Sequence, residues 1–311
     1  MRLGFFLPHM GSWAGPDALV RVARRAEELG FDSVWVKERS LVPVEPQTPY
    51  QLGELPDVYK TVLDPVGSLA FVAAHTSRVR LGTSVLNLPW YSPVLLARQL
   101  TTLDVLSNGR LQAGFGIGWS KDEYEVAGTA WETRGKRCEE ALQILNAIWT
   151  SDPVEFEGEY YSVPRSFIGP KPVQKPHPPL YLAAYTPPAL ARVARYADGW
   201  HPVGIPLPAV AEMFAGIKAA AQDAGRDPAE LELVVRGNVE LADQPLGDDR
   251  MPFTGTTEQI AAEISATRDI GASELIMDAT FDPGVHSVED FLGRMELLYR
   301  LAEQSLAAGP A

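Results

Sequence analysis

An α/β fold, a (β/α)8 barrel in which residues 1–311 form one domain, is what three features of the sequence predict. Short apolar, β-branched runs alternate with amphipathic stretches, and Gly or Pro marks the joins. Eight such strand–helix units can be counted, and strict alternation demands parallel strands joined by crossover helices. Eight units in 311 residues match the count and size of a closed barrel better than a doubly wound open sheet, which remains the alternative.

The elements follow in order. Leu3–Leu7 is the first apolar run, stopped by Pro8. Gly15-Pro16-Asp17 opens a helix, with proline and an acid suited to its first turn. Leu19, Val22, Ala23 and Ala26 share one face of that helix, which stops at Gly30. Ser33–Val36 is the second strand, followed after a loop by a helix at 64–76. Strand 79–86 leads to a helix at 93–106 ended by Asn108-Gly109, and strand 110–115 leads to a long helix at 132–150. Cys138, Ala141, Leu142, Leu145 and Ile148 make the apolar stripe of that long helix. Strands at 179–184, 199–204, 231–239 and 274–277 complete the set, with helices at 187–197, 208–224 and 256–270 and a last helix carrying Val288, Phe291, Leu292, Met295 and Leu298 on one face. Two insertions, after strands 2 and 4, exceed an ordinary connection: residues 40–63, rich in Pro with Tyr50 and Tyr59, and residues 151–178, which contain EFEGEYYSV and GPKPVQKPHPP. Long loops in a compact domain usually serve as lids, binding loops or interface pieces.

Composition excludes several classes. With 46% hydrophobic and 22% charged residues, disorder is not expected. Forty acids against 27 bases give a net charge of -13, which argues against nucleic-acid binding. The one cysteine, Cys138, excludes an intrachain disulfide and Cys-rich metal sites. The opening MRLGFFLPHMGSW is too short an apolar run for a signal peptide or membrane span, so a soluble cytoplasmic protein without membrane contact is expected. No HxH, HExxH, Walker loop or GxSxG occurs, which leaves no support for a metal site, a phosphate-cradling NTPase or the usual serine hydrolase.

In a barrel the chemistry collects where the strands end. The candidates are His9 after the first strand, Lys37, Glu38 and Arg39 after the second, and Asn87 after the third. Gly116, Gly118 and Trp119 follow the fourth strand, Ala184, Tyr185 and Thr186 the fifth, and His201 the sixth. His9 and His201 are each as well explained as hydrogen-bonded loop residues, and Lys37 and Arg39 as a solvated rim. Gly114, Gly116 and Gly118 miss the GxGxxG spacing but would let backbone approach a flat or phosphorylated ligand. Thr186 and the prolines after it resemble a capped helix start, where free N–H groups and the helix dipole favour an anion.

LGFFLP, ELGFDSVWV, AAHTSRVRLGTSVLNLPWYSPVLLARQLTTLDVLSNGRLQAGFGIGWSKDEYEVAG, GPKPVQKPHPPLYLAA and YADGWHP occur in that order. Together they resemble the bacterial luciferase-like monooxygenase superfamily, in particular its coenzyme F420-dependent oxidoreductase branch, densely over residues 1–205. The resemblance implies a barrel with a deazaflavin or flavin lying across the strand ends. It implies a non-proline cis peptide at Ser84–Val85 backing the ring, Asn87 beside the pyrimidine edge, and Ala184, Tyr185 and Thr186 at the cofactor phosphate. Gly116, Gly118 and Trp119 are expected at the cofactor as well. Many members carry Asp-His where this chain has Glu38-Arg39, and several carry Glu where Trp119 stands, so those proton donors do not carry over. His9, Glu38, Arg39 and His201 are then the expected catalytic groups, with Trp13, Tyr50, Trp90 and Trp119 walling a small-molecule pocket. The implied activity is hydride transfer between F420 and a small organic substrate. Oxygen insertion with FMN is the alternative, a non-catalytic flavin-binding barrel the second, and a nicotinamide-dependent dehydrogenase on an open sheet the third. A homodimer through helices near the second and third units is implied by the resemblance alone.

Overall fold

The computed structural model describes residues 1–50 and 53–307. β1 (Arg2–Phe6) is followed by α1 (Pro16–Leu29), which carries proline in its first turn and ends on Gly30 at φ 104°, a left-handed conformation that glycine adopts without penalty. β2 (Ser33–Val36) precedes the first insertion, and α2 (Pro65–Ala73) begins where the Asp64 carboxylate caps the Gly67 N–H. The third barrel strand is interrupted: β3 (Arg80–Thr83) and β4 (Leu86–Asn87) flank a cis Ser84–Val85 peptide, at the position the resemblance implied.

α3 (Pro93–Leu106), β5 (Leu111–Gly116), the short α4 (Lys121–Val126) and α5 (Arg134–Thr150) come next. β6 (Val154–Glu157) and β7 (Ser162–Ser166) pair as the small antiparallel hairpin suggested by EFEGEYYSV. The chain continues through β8 (Leu180–Leu182), α6 (Pro187–Tyr196), β9 (Gly199–Trp200), α7 (Leu207–Asp223) and β10 (Glu232–Asn238). β11 (Glu240–Leu241) pairs with β12 (Thr254–Gly255) outside the barrel. α8 (Thr257–Asp269) opens with a capping box of Thr256 and Gln259, and β13 (Glu274–Asp278) and α9 (Val288–Ala307) close the chain.

The barrel strands pair in chain order, all parallel, from β1 through β2, β3–β4, β5, β8, β9, β10 and β13. β13 returns to β1 with Leu275 beside Leu3, so the sheet has no free edge. The open-sheet alternative is thereby excluded. Around the barrel the helices touch in sequence, with α9 closing back on α1. The main apolar core lies between strands and helices, and Phe6, Trp35, Tyr181, Val234 and Ile276 form a separate cluster inside the barrel.

Beneath that inner cluster sits a buried polar layer. Glu274 accepts hydrogen bonds from Ser33, from Gln112 Nε2 at 3.1 Å and from Arg2 Nε at 3.1 Å. This layer plugs the end of the barrel opposite the strand ends that carry chemistry.

The two insertions lie at opposite ends. Residues 40–63, of which 51 and 52 fall outside the described residues, follow β2 and cover the strand ends. Residues 151–178 follow α5, not a strand, and their turn is tied to the other end. Val173 N–H donates to Asp104 Oδ2 at 2.7 Å, and Gln174 Nε2 donates to the Leu111 carbonyl at the start of β5 at 2.7 Å. The expectation of a second insertion after strand 4 that lines the pocket is corrected on this point. The connection after that strand is residues 117–133, which contain α4.

Candidate active site

The strand ends place most of the sequence-predicted residues together, and a set of hydrogen bonds shows how. Glu38, just past β2, accepts from the Asn87 N–H at 2.6 Å, from Asn87 Nδ2 at 3.2 Å and from the Tyr91 hydroxyl. Burial pushes its carboxyl up to about 7, against the pull of these donors. Gly118 lies beside Asn87 at φ 67°; a Cβ there would stand 3.1 Å from Asn87 Oδ1 and 3.0 Å from Trp90.

Arg39 turns the other way. Its guanidinium donates to Glu123 Oε2 at 2.9 Å and lies 4.6 Å from the centre of the Trp119 ring. Glu123 also accepts from the Ser40 N–H at 2.8 Å and the Ser40 hydroxyl at 3.0 Å, so α4 holds the first turn of the insertion. Trp119 meets Tyr50 at 5.4 Å, Tyr50 meets Tyr59 at 6.4 Å, and Tyr59 meets Phe281 at 5.6 Å. These four rings form an aromatic row over the strand ends.

Ser84 and His201 are joined directly, the serine hydroxyl donating to His201 Nε2 at 2.7 Å while His201 Nδ1 donates to the Val234 carbonyl at 2.7 Å. Burial pushes His201 down to about 4, so it is neutral. His9 is fully buried as well. Its Nδ1 donates to the Leu7 carbonyl at 2.9 Å, and its Nε2 accepts the Lys37 N–H at 3.0 Å, which fastens the end of β1 to that of β2. It too is pushed by burial to about 4. Both ring nitrogens of each histidine are therefore occupied.

The glycines serve the protein's own backbone. A Cβ on Gly114 would stand 1.9 Å from the Thr83 carbonyl oxygen, and one on Gly116 would stand 2.7 Å from a Val85 methyl. Both positions face the bulge around the cis peptide, so the room ascribed from sequence to a flat ligand is taken by Thr83 and Val85. Ala184 is buried and its carbonyl accepts from Trp200 Nε1 at 2.9 Å, while Tyr185 and Thr186 stand exposed at the start of α6. No hydrogen bond among the described residues ties Tyr185 or Thr186 to the other candidates. Pro187 and Pro188 remove two N–H donors from that helix start, and the Thr186 hydroxyl makes no cap bond and is free to donate.

Two residues of the mouth, Arg236 and Asp278, were not selected from sequence, and they join Lys37, which was named there only by its position after the second strand. Asp278 at the end of β13 accepts from Lys37 Nζ at 2.7 Å and from Arg236 at 2.7 Å. Arg236 also donates to the Ser84 carbonyl at 3.2 Å, reaching the bulge from the far side. Burial works against the Asp278 carboxylate, but Lys37 and Arg236 outweigh it and hold its carboxyl well below the usual range. Sequence offers no motif for this trio, because 241 residues separate Lys37 from Asp278. Only their shared position at strand ends was available as a signal.

Six buried polar atoms around the mouth have no partner among the described residues: Trp13 Nε1, Arg39 Nε, Trp90 Nε1, Arg236 Nε, Asn238 Oδ1 and Thr280 Oγ1. They follow or end β1, β2, β4, β10 and β13. Such groups are costly unless something bonds them, so the mouth is arranged for a polar ligand. Beside it, a cavity of about 700 Å³ opens outside β10 and β13, lined by Asp243, Thr256, Asp282 and Arg294 among others; no residue predicted from sequence borders it. Among the described residues no three His, Cys, Asp or Glu side chains are placed to hold a metal, and no helix is long and apolar enough to cross a membrane.

Known proteins resemble the chain in sequence and in fold. An uncharacterised protein of Mycobacterium tuberculosis is 37% identical over 211 residues, 66% of this chain and 74% of the relative. The F420-dependent glucose-6-phosphate dehydrogenase of Amycolatopsis mediterranei is 36% identical over 193 residues, 60% of this chain and 53% of that enzyme. Among solved structures, monooxygenase RslO1 from Streptomyces bottropensis superposes with a TM-score of 0.78 at 23% identity, covering 98% of this chain and 100% of that one. An F420-dependent secondary alcohol dehydrogenase, solved with an F420-acetone adduct, superposes at 0.75 with 20% identity, covering 96% and 98%. The model of the luciferase-like monooxygenase family matches residues 1–247, and the chain belongs to that family.

Proposed function

We propose that the protein is an F420-dependent oxidoreductase that moves a hydride between the deazaflavin and a small organic substrate. The observation that carries the reading is the likeness to F420-dependent glucose-6-phosphate dehydrogenases, at 36% and 35% identity over about 190 residues. The ring of unpartnered donors and acceptors at the mouth fits a flat heterocycle with carbonyl and N–H edges, such as a deazaflavin or a flavin. Ser84, Val85 and Asn87 would lie against that ring, with Gly116, Gly118 and Trp119 around it and Ala184, Tyr185 and Thr186 towards the phosphate. Bound there, the cofactor supplies two-electron chemistry, while the protein supplies orientation and a dry mouth. Tyr50, Tyr59, Trp119 and Phe281 exclude water, and Glu38 fixes Asn87 through two hydrogen bonds.

The same reading includes a cytoplasmic enzyme and a homodimer. Phe71 on α2 and Leu95 and Leu106 on α3 are exposed apolar side chains on the two helices where that contact is expected. Titrating the protein with F420 and with FMN, following fluorescence quenching, should show clear preference for F420. Preference for FMN would favour oxygen insertion instead, and binding of neither would end both readings.

A further inference from the structure

The groups that sequence offers for acid–base work are already occupied. His9 and His201 use both ring nitrogens and are neutral. Arg39 is paired with Glu123. Glu38 accepts three hydrogen bonds from Asn87 and Tyr91. Lys37 differs from all of these. The residue is 4% exposed, and its ammonium carries three N–H groups and donates one to Asp278. Around it stand the rings of Phe281 at 4.0 Å, Phe6 at 4.9 Å and Tyr59 at 5.9 Å, and among the described residues Asp278 is the one hydrogen-bond acceptor of Lys37 Nζ.

From this geometry we propose that Lys37 is the catalytic acid, and that it gives a proton to the oxygen of an uncharged aldehyde or ketone bound at the barrel mouth against the paired Tyr59 and Phe281 rings. The proposal rests on the F420 reading. Bound F420, in its reduced form, would supply the hydride for the new C–H bond at the carbonyl carbon and thereby account for the two-electron change. The C=O π pair takes the proton, an N–H bond of Lys37 breaks, and the amine stays beside Asp278. Oxidation of the alcohol runs the same steps backwards, with the amine as base.

The surroundings suit that exchange. Two cations, Lys37 and Arg236, share the one carboxylate of Asp278, so loss of the lysine proton relieves an excess positive charge. His9, behind the Lys37 backbone, is neutral, and burial pushes the Tyr59 phenol up, so neither competes for the proton. Burial, with Arg236 adding to it, brings Lys37 down to about 7, whereas Asp278 resists the change. Arg236 is paired with Asp278 and Arg39 with Glu123, so the one surplus positive charge is the Lys37 proton itself, and once it is transferred no cation is left over for a phosphate or carboxylate of the substrate. Aromatic walls then favour an apolar carbonyl compound over a phosphorylated or carboxylated one.

The test uses the full chain, its Lys37→Met and Lys37→Arg variants, F420, and cyclohexanone, acetone and benzaldehyde as probes. Quenching of F420 fluorescence comes first and should agree within about threefold among the three proteins. Failure of the wild type at this step refutes the F420 reading. With ¹³C-labelled lysine and F420 bound, the signal lost in Lys37→Met should titrate near pH 7, not near the roughly 10.4 of an ordinary lysine. Reduced F420 should then reduce at least one probe at a rate that falls tenfold per pH unit above about 7. Both variants should lose about 10²–10⁴-fold in that rate, the usual worth of a general acid. An ordinary titration, an unaltered rate in Lys37→Arg, or F420 binding without reduction of any neutral carbonyl probe would overturn the proposal while leaving F420 binding intact.

Discussion

At the barrel mouth burial decides which groups carry charge. His9 and His201 are each pushed from an ordinary 6.5 to about 4, so the folded chain binds fewer protons than the unfolded chain between those values. A base whose value is lowered adds stability that is complete above pH 6.5 and is lost as pH falls to 4. The shift of about 2.5 units is worth about 3 kcal/mol for each histidine. The thermal midpoint should therefore fall steeply from pH 6.5 to 4, and His201→Asn should flatten that fall. A midpoint independent of pH across this window would contradict the neutral assignment. These two side chains could be found from sequence by position but not by role, since the Leu7, Lys37 and Val234 backbone groups that occupy them are invisible there. Gly114 and Gly116 show the same limit. Their spacing was visible, but the oxygen of Thr83 and the methyl of Val85 that need the space lie some thirty residues away in sequence.

At the scale of elements, the alternation of apolar runs with amphipathic stretches carried most of the fold. Each barrel strand and each of the large helices lies within a few residues of its expected span, because a strand buried on both faces reads as a continuous apolar run, whereas the short α4, β11 and β12 had no expected counterpart. The third strand is the exception, divided into β3 and β4 by the bulge. Periodicity cannot report which end of the barrel a loop occupies. That depends on whether the loop follows a strand or a helix, and for residues 151–178 the weakly periodic hairpin concealed the answer. The two ends should respond differently to mutation. Glu123→Gln removes the charge that holds Arg39 and Ser40, leaving a buried guanidinium without its counter-ion. Limited proteolysis should cut residues 40–50 several times faster in that variant, and F420 binding should weaken. Asp104→Asn, which loosens Val173 and Gln174 at the opposite end, should lower thermal stability and leave F420 affinity unchanged. Equal effects of both variants on F420 binding would contradict the placement of the insertions.

At the scale of the molecule, the two ends of the barrel divide the work. One end is closed by a polar layer in which Glu274 accepts from Ser33, Gln112 and Arg2, with Gln112 Oε1 its one buried atom left without a partner among the described residues. The other end gathers Lys37, Arg39 and Arg236 in a chain of net charge -13, together with buried donors and acceptors that lack partners. The surface charge thus says little about the site, which departs from it locally. That contrast is consistent with the proposal of an anionic, flat cofactor at the mouth. The most direct test is an anaerobic mixing experiment with the full-length protein, reduced F420 and a panel of carbonyl acceptors, following return of the oxidised deazaflavin absorbance. The account predicts acceptor-dependent oxidation of F420 with no need for dioxygen. Turnover only with reduced FMN, and only with consumption of dioxygen, would contradict it.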